Sequence, residues 1–187
     1  MSQGTANQSS SSLSFRAAIA DDEGFIAALI NSAYRGDSSR VGWTTEADLL
    51  EGTRTNAGEV LGLIQANDST MFLCQQAGQI VGCVYLQKRG ETGYLGMFVV
   101  SPQLQGVGIG KQFMAAAENY AQHQWRVSRM IMSVITLREE LIAYYERRGY
   151  RRTGEFEPFP TDLDDTIILV ENLQFETLEK QFEERPT

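Results

Sequence analysis

A chain of 187 residues has the length of one domain with at most a small appendage. With 42% hydrophobic and 21% charged residues, and no apolar run near the roughly 18 residues of a membrane span, it fits neither the disordered nor the membrane-embedded class. Sixteen Lys plus Arg against 24 Asp plus Glu leave a net charge of −8, which opposes a nucleic-acid or anionic-membrane partner, because both need a cationic face.

The N-terminal stretch is rich in Ser, Gln and Asn and lacks the basic start and apolar centre of a signal peptide. A flexible leader over 1–13, a domain over 14–187 and a cytoplasmic location are therefore expected. Residues 15–19 read as a first strand. Asp21 and Asp22 can cap a helix through Tyr34 whose apolar side carries Phe25, Ile26, Leu29 and Ile30. A polar segment, 35–44, precedes a second helix, signalled by Thr45 and Asp48 in capping-box spacing. Residues 70–76 and 79–88 form a hairpin about Ala77-Gly78. Cys74 and Cys83 flank its turn and, depending on register, lie opposite one another; in an unsecreted chain two reduced thiols are expected. A strand over 92–100 and a glycine-opened helix to about 124 follow. Residues 130–135 are nearly all apolar and so form a central strand; a helix over 137–148 stops at Gly149, and the last strand is read at 165–171. The only histidine is His123, with no cysteine near it in sequence, so no metal site is readable.

The strongest chemical signal is Gln103-Leu104-Gln105-Gly106-Val107-Gly108-Ile109-Gly110-Lys111, where a strand runs through glycines into a helix. Unpaired helix-entry N–H groups and the positive end of the helix dipole converge there, and glycines let the main chain approach an anion closely. A P-loop fits poorly, since Gly106 to Gly110 is one residue short of G-x-x-x-x-G-K-[ST] and Gln112 replaces the hydroxyl residue that would reach magnesium. A dinucleotide turn fits poorly too, because Lys111 stands where the third glycine of G-x-G-x-x-G belongs. A glycine-rich helix entry without a ligand is the plain alternative.

The pattern that fits is Q-x-x-G-x-G, here Gln103-Leu104-Gln105-Gly106-Val107-Gly108, which resembles the pyrophosphate-binding motif of the GCN5-related N-acetyltransferase (GNAT) superfamily. Further on, Ala143-Tyr144-Tyr145-Glu146-Arg147-Arg148-Gly149-Tyr150 resembles that family's second signature, A-x-Y-x-x-x-G-aromatic. The strand and helix between the two motifs fit the family's spacing, so the resembling unit covers 92–155. The resemblance implies an α/β (α+β) fold: a single domain with a mixed, mostly antiparallel central sheet flanked by helices. It also implies transfer of an acetyl group from acetyl-CoA, without a metal, to a primary amine of a small molecule, amino-acid derivative or peptide.

On that resemblance the main chain of Gln105, Gly106, Val107, Gly108, Ile109 and Gly110 would hold the CoA pyrophosphate, with Lys111 adding charge. The backbone of Phe98, Val99 and Val100 would run beside the pantetheine arm, their side chains being core. Tyr145, four residues before Gly149, would donate a hydrogen bond to the departing sulfur, with Tyr144 as the competing phenol. Arg138 stands where many relatives carry Asn, and could reach CoA instead. The general base is not readable: counting back from Gln103 reaches Thr92, with Glu91 one residue off. Tyr34, Trp43 and Glu46 are candidates for the acceptor groove, Glu46 by attracting a cationic amine. Against these stand plain readings of Trp43 as a loop anchor, Glu46 as a first-turn helix charge and Lys111 as a surface residue. Monomer and homodimer both stay open. A catalytically silent CoA-binding sensor and a nucleotide-binding protein are the competing functions.

Overall fold

The computed structural model describes residues 12–163 and 165–183. A seven-stranded sheet runs in the order β1-β3-β4-β5-β6-β9-β7. Its strands are β1 (Leu13–Ala17), β3 (Ser69–Gln76), β4 (Gln79–Arg89), β5 (Thr92–Val100), β6 (Arg129–Ile135), β7 (Arg151–Pro158) and β9 (Gln174–Gln181). Every neighbouring pair is antiparallel except β5 and β6, which the helix α4 (Ile109–Gln124) connects. The mixed, mostly antiparallel sheet flanked by helices is the expected architecture. Most of the expected leader lies outside the described residues, and Leu13 already pairs with Gln76.

Both faces of the central strands are covered. Along β3, Met71 and Leu73 point to one side with Ile26, Ile30 and Val60 of α1 (Glu23–Tyr34) and α3 (Ala57–Gln65). Phe72 and Cys74 point to the other, with Phe113, Met114 and Ala117 of α4 and Ile142 of α5 (Glu139–Glu146). A strand buried on both faces reads as a continuous apolar run, which is why the hairpin was legible. Its register pairs Leu73 with Cys83 and Cys74 with Gly82, so the two thiols are offset by one residue and face opposite sides of the sheet. Both are free and buried, and burial pushes the Cys74 thiol up to about 11.

Three segments depart from the expected elements. No helix starts at Thr45; Glu46 begins a turn closed by Leu49 and Leu50 N–H to its carbonyl, and a short helix α2 (Gly36–Ser39) lies in the polar segment instead. The helix that does form, α3, is capped by Asn56, which accepts from Glu59 N–H at 3.0 Å and donates to the Glu59 carboxylate at 2.9 Å. The expected last strand contracts to β8 (Thr166–Ile168), which pairs with β2 (Leu50–Gly52) outside the main sheet. Within the main sheet, the strand not anticipated is β9, inserted between β6 and β7. Glu176, Glu179 and Lys180 break its apolar alternation, and each charge is answered in the fold: Glu176 by Arg152, Glu179 by Arg151 and Arg129, Lys180 by Glu118. No helix among the described residues is long and apolar enough to cross a membrane.

Candidate active site

The site is made by two strands that part. The β5–β6 ladder covers only Thr92–Arg129, Gly93–Met130 and Tyr94–Ile131. Beyond it, β5 carries a bulge where the register to β4 shifts and Met97 adopts φ 48°. A bulge bends its strand and re-aims the backbone. Past this point β6 continues only with β9, and the Phe98 carbonyl accepts from the Tyr34 hydroxyl at 2.9 Å rather than from a strand amide. The open wedge is flanked by the end of α1, the 40s loop and α5.

A cavity of about 580 Å³ opens between the glycine turn and α5, lined by Phe98, Val100, Gly106, Gly108, Trp43 and Tyr145 among others. The main-chain N–H groups of residues 106–111 have no hydrogen-bond partner among the described residues, the state of a helix mouth awaiting an anion. Gly108 sits at φ 88°, a left-handed conformation that turns the chain into α4 without Cβ strain. Two residues on, a Cβ at Gly110 would come within 2.7 Å of the Tyr144 hydroxyl, so a glycine there lets α4 meet α5. Lys111 and Arg148 bring positive charge to the same cavity. These features fit a CoA pyrophosphate with its apolar-walled arm.

Gln105 contributes differently from its neighbours. Its N–H is directed at the Pro102 carbonyl at 3.5 Å, while its side chain donates to Val100 O at 3.0 Å and Thr44 Oγ1 at 2.9 Å and accepts from Trp43 N–H at 3.0 Å. It pins the 40s loop to the glycine turn. Trp43 thereby lies over Tyr144, ring centroids 4.9 Å apart, and Arg148 covers the same phenol ring at 3.2 Å. The expected acceptor aromatic thus lines the glycine-turn cavity. Tyr144, the competing phenol, lines that cavity too. The helical spacing of Leu141, Tyr144, Tyr145 and Arg148 was the signal that could have gathered this face.

A second cavity of about 330 Å³ lies on the other side of the wedge, lined by both strands' open edges together with Glu46, Arg54, Arg89, Arg138 and Glu157. Tyr34, Phe98, Leu141 and Tyr145 line both cavities. The Tyr145 hydroxyl has no hydrogen-bond partner among the described residues, and burial raises its pKa far above that of a free phenol. Tyr34 is raised in the same way, so both phenols keep their protons at neutral pH.

The remaining candidates fall into place around this frame. Glu46 is no first-turn helix charge: only 12% exposed, it pairs with Arg35 and lies 3.6 Å from Arg138. Arg138 also donates to the Trp43 carbonyl at 3.4 Å, and it lines the second cavity rather than the glycine-turn one. Val99 and Ile109 are buried core side chains, and Val107 is exposed. Thr92 is buried at the paired end of β5, accepting from Arg129 at 2.8 Å. Six residues of strand, roughly 20 Å, separate it from Phe98, so neither it nor Glu91 reaches the wedge. Arg54 and Arg89 were missed, since nothing in the sequence marks two isolated arginines on separate elements.

The splayed strand pair thus puts an anion cradle on one side of the wedge and a charged recess on the other, two sites for two ligands. The GNAT acetyltransferase family model matches residues 29–150, and the chain belongs to that family. It is an acetyl-CoA-dependent N-acetyltransferase. Among solved structures, an IAA acetyltransferase from Bacillus cereus ATCC 14579 is 17% identical, with TM-score 0.65 over 91% of this chain and 100% of its own. A putative phosphinothricin N-acetyltransferase is 13% identical, with TM-score 0.68 over 92% and 100%. The spermidine/spermine N-acetyltransferase SpeG from Vibrio cholerae is 16% identical, with TM-score 0.64 over 90% and 92%. At these identities the likeness is one of fold. No curated protein matches by sequence.

Proposed function

We propose that the chain acetylates a primary amine of a small molecule, with CoA seated in the larger cavity and the acceptor in the smaller. The observation that carries this reading is the position of Tyr145 on the wall common to both cavities. The unpaired N–H groups of 106–111 hold the pyrophosphate, with Lys111 beside them, and the open edge of β5 from Phe98 to Val100 aligns the pantetheine arm. The amine nitrogen, neutral when it attacks, forms a bond to the thioester carbonyl carbon. As the C–S bond breaks, the amine proton leaves to water, and the departing sulfur is stabilised by the Tyr145 hydroxyl until it takes up a proton. A thiol titrates near 8.5 and a free phenol near 10, and burial moves Tyr145 higher still, so this tyrosine acts as a hydrogen-bond donor rather than a full acid. Tyr34 and Trp43 border the reacting centre from the α1 and 40s-loop sides.

Thermal shift with acetyl-CoA, ATP and NAD, followed by thiol release with DTNB over an amine library, tests the reading. Stabilisation by acetyl-CoA alone together with amine-dependent thiol release is expected. Stabilisation by ATP or NAD in its place overturns it, and binding without turnover of any amine would assign the chain as a silent CoA sensor.

A further inference from the structure

We infer that the acceptor carries an oxyanion, a carboxylate or phosphonate, beside its amine, and that Arg54 and Arg89 in the smaller cavity receive it. The inference rests on the acetyl-transfer reading above and narrows its acceptor. The chain is acidic, with net charge −8, yet this recess gathers Arg54, Arg89 and Arg138 against Glu46 and Glu157. Glu46 is already engaged by Arg35 and Arg138, so it presents no free charge to an incoming ammonium. The sequence-based expectation that Glu46 attracts a cation is reversed by its neighbours.

The other two guanidiniums are not neutralised. Arg54 is half-buried, and its side chain makes no ion pair or hydrogen bond among the described residues. Arg89 bonds the Gln87 amide oxygen at 2.8 Å and rests over the Tyr94 ring at 4.1 Å, again without a carboxylate. Arg54 is set into the recess and Arg89 is exposed at its edge, and a guanidinium fork matches a carboxylate or phosphonate through two parallel N–H bonds. With Glu46 engaged, Glu157 is the one carboxylate of the lining left to offset Arg54 and Arg89, so a polyamine would meet net positive charge here and a neutral amine would leave at least one fork unpaired. The cavity volume, about 330 Å³, suits a small molecule.

The test uses the purified full chain at saturating acetyl-CoA, with thiol release measured over matched sets. These are α-, β- and γ-amino acids, aminoalkyl phosphonates, the carboxamide or ester of each acid, and spermidine. Oxyanion-bearing amines are expected to be the preferred acceptors, with kcat/KM falling about 10- to 100-fold on amidation, mainly through KM. The carboxylate and phosphonate arms identify which oxyanion is preferred. Arg54→Gln should lower kcat/KM for the accepted acid about 10-fold, barely change it for the amide, and leave acetyl-CoA affinity unchanged; Arg89→Gln serves if that variant does not fold. Spermidine or an amide acetylated as well as its acid overturns the inference while leaving acetyl transfer intact. So does acetyl-CoA binding with no oxyanion-bearing amine turned over. Failure of acetyl-CoA to stabilise the protein would instead remove the reading on which the inference stands.

Discussion

The two cavities that meet at Tyr145 are built by different means. The larger is largely a main-chain device: six unpaired N–H groups over 106–111 and the open edge of β5, contributed by contiguous sequence, with α5 as its far wall. The smaller is a side-chain device, its charges drawn from a loop, two strands and the cap of a helix, among them Glu46, Arg54, Arg89 and Arg138. A ligand held by backbone is specified by φ angles and spacing, whereas a ligand held by side chains is specified by which distant residues converge. The first kind of site survives wide sequence change and the second does not.

Substitution of Gly108 attacks the main-chain side directly. Gly108→Val forces a β-branched residue to φ 88° and places its side chain at the anion's approach. Acetyl-CoA affinity should fall more than about 100-fold by calorimetry, the loss of two or more charge-assisted hydrogen bonds. Circular dichroism should show the fold retained; undiminished affinity would mean the cradle is not at the helix mouth. Tyr145→Phe strikes the shared wall. It should lower kcat about 100-fold with acetyl-CoA affinity nearly unchanged, because the hydroxyl contributes as charge develops on sulfur. Since burial raises the pKa of Tyr145, its proton is retained throughout the neutral range. The kcat–pH profile of wild type should therefore show no descending limb below pH about 10 from this group. A descending limb present in wild type and absent from the Phe variant would contradict that assignment.

On the side-chain half, Glu46→Gln should cost about 3 kcal/mol of stability, because Arg35, buried at 6% exposure, loses its carboxylate. Denaturant unfolding measures this. The same variant should tighten the KM for an anionic acceptor and leave the acetyl-CoA dissociation constant alone. Movement of both constants together would mean that the two cavities are less independent than their construction implies.

The contrast also explains what was legible in the sequence. Glycines, the Q-x-x-G-x-G spacing and the A-x-Y-x-x-x-G end of α5 are local, and they marked the cofactor half and the strands around it. The apolar, doubly covered β3 and β4 and the nearly all-apolar β6 stood out for a similar reason, although only one face of β6 is fully buried. β9 was hidden because a central strand carrying Glu176, Glu179 and Lys180 looks like surface until Arg152, Arg151, Arg129 and Glu118 are brought beside it. Thr45 looked like a helix cap because capping-box spacing is short and frequent, whereas Asn56 is the residue whose side chain meets an exposed N–H. Arg54 and Arg89 form no motif; one stands in the loop after β2 and the other at the end of β4, and only the fold brings them to one recess.

Gln105 is where the two halves are joined, and it gives the finest test of their separation. Its side chain ties Val100 of β5 to Trp43 and Thr44 of the loop, and the Trp43 carbonyl in turn receives Arg138, which holds Glu46. Gln105→Ala leaves Gly106, Gly108 and every charged residue in place, so it removes only the tether. With three hydrogen bonds lost in a half-exposed position, stability should fall by about 1–2 kcal/mol, read as a lower unfolding midpoint. Released from Gln105, Trp43 would no longer be fixed over Tyr144, and Arg138 would lose its carbonyl contact. KM for acetyl-CoA and KM for the acceptor should then rise together, each by about threefold, with kcat changed less than either. If only the acetyl-CoA constant moves, the loop serves the cofactor cavity alone, and the arginines of the smaller cavity are held by Glu46 without help from the glycine turn.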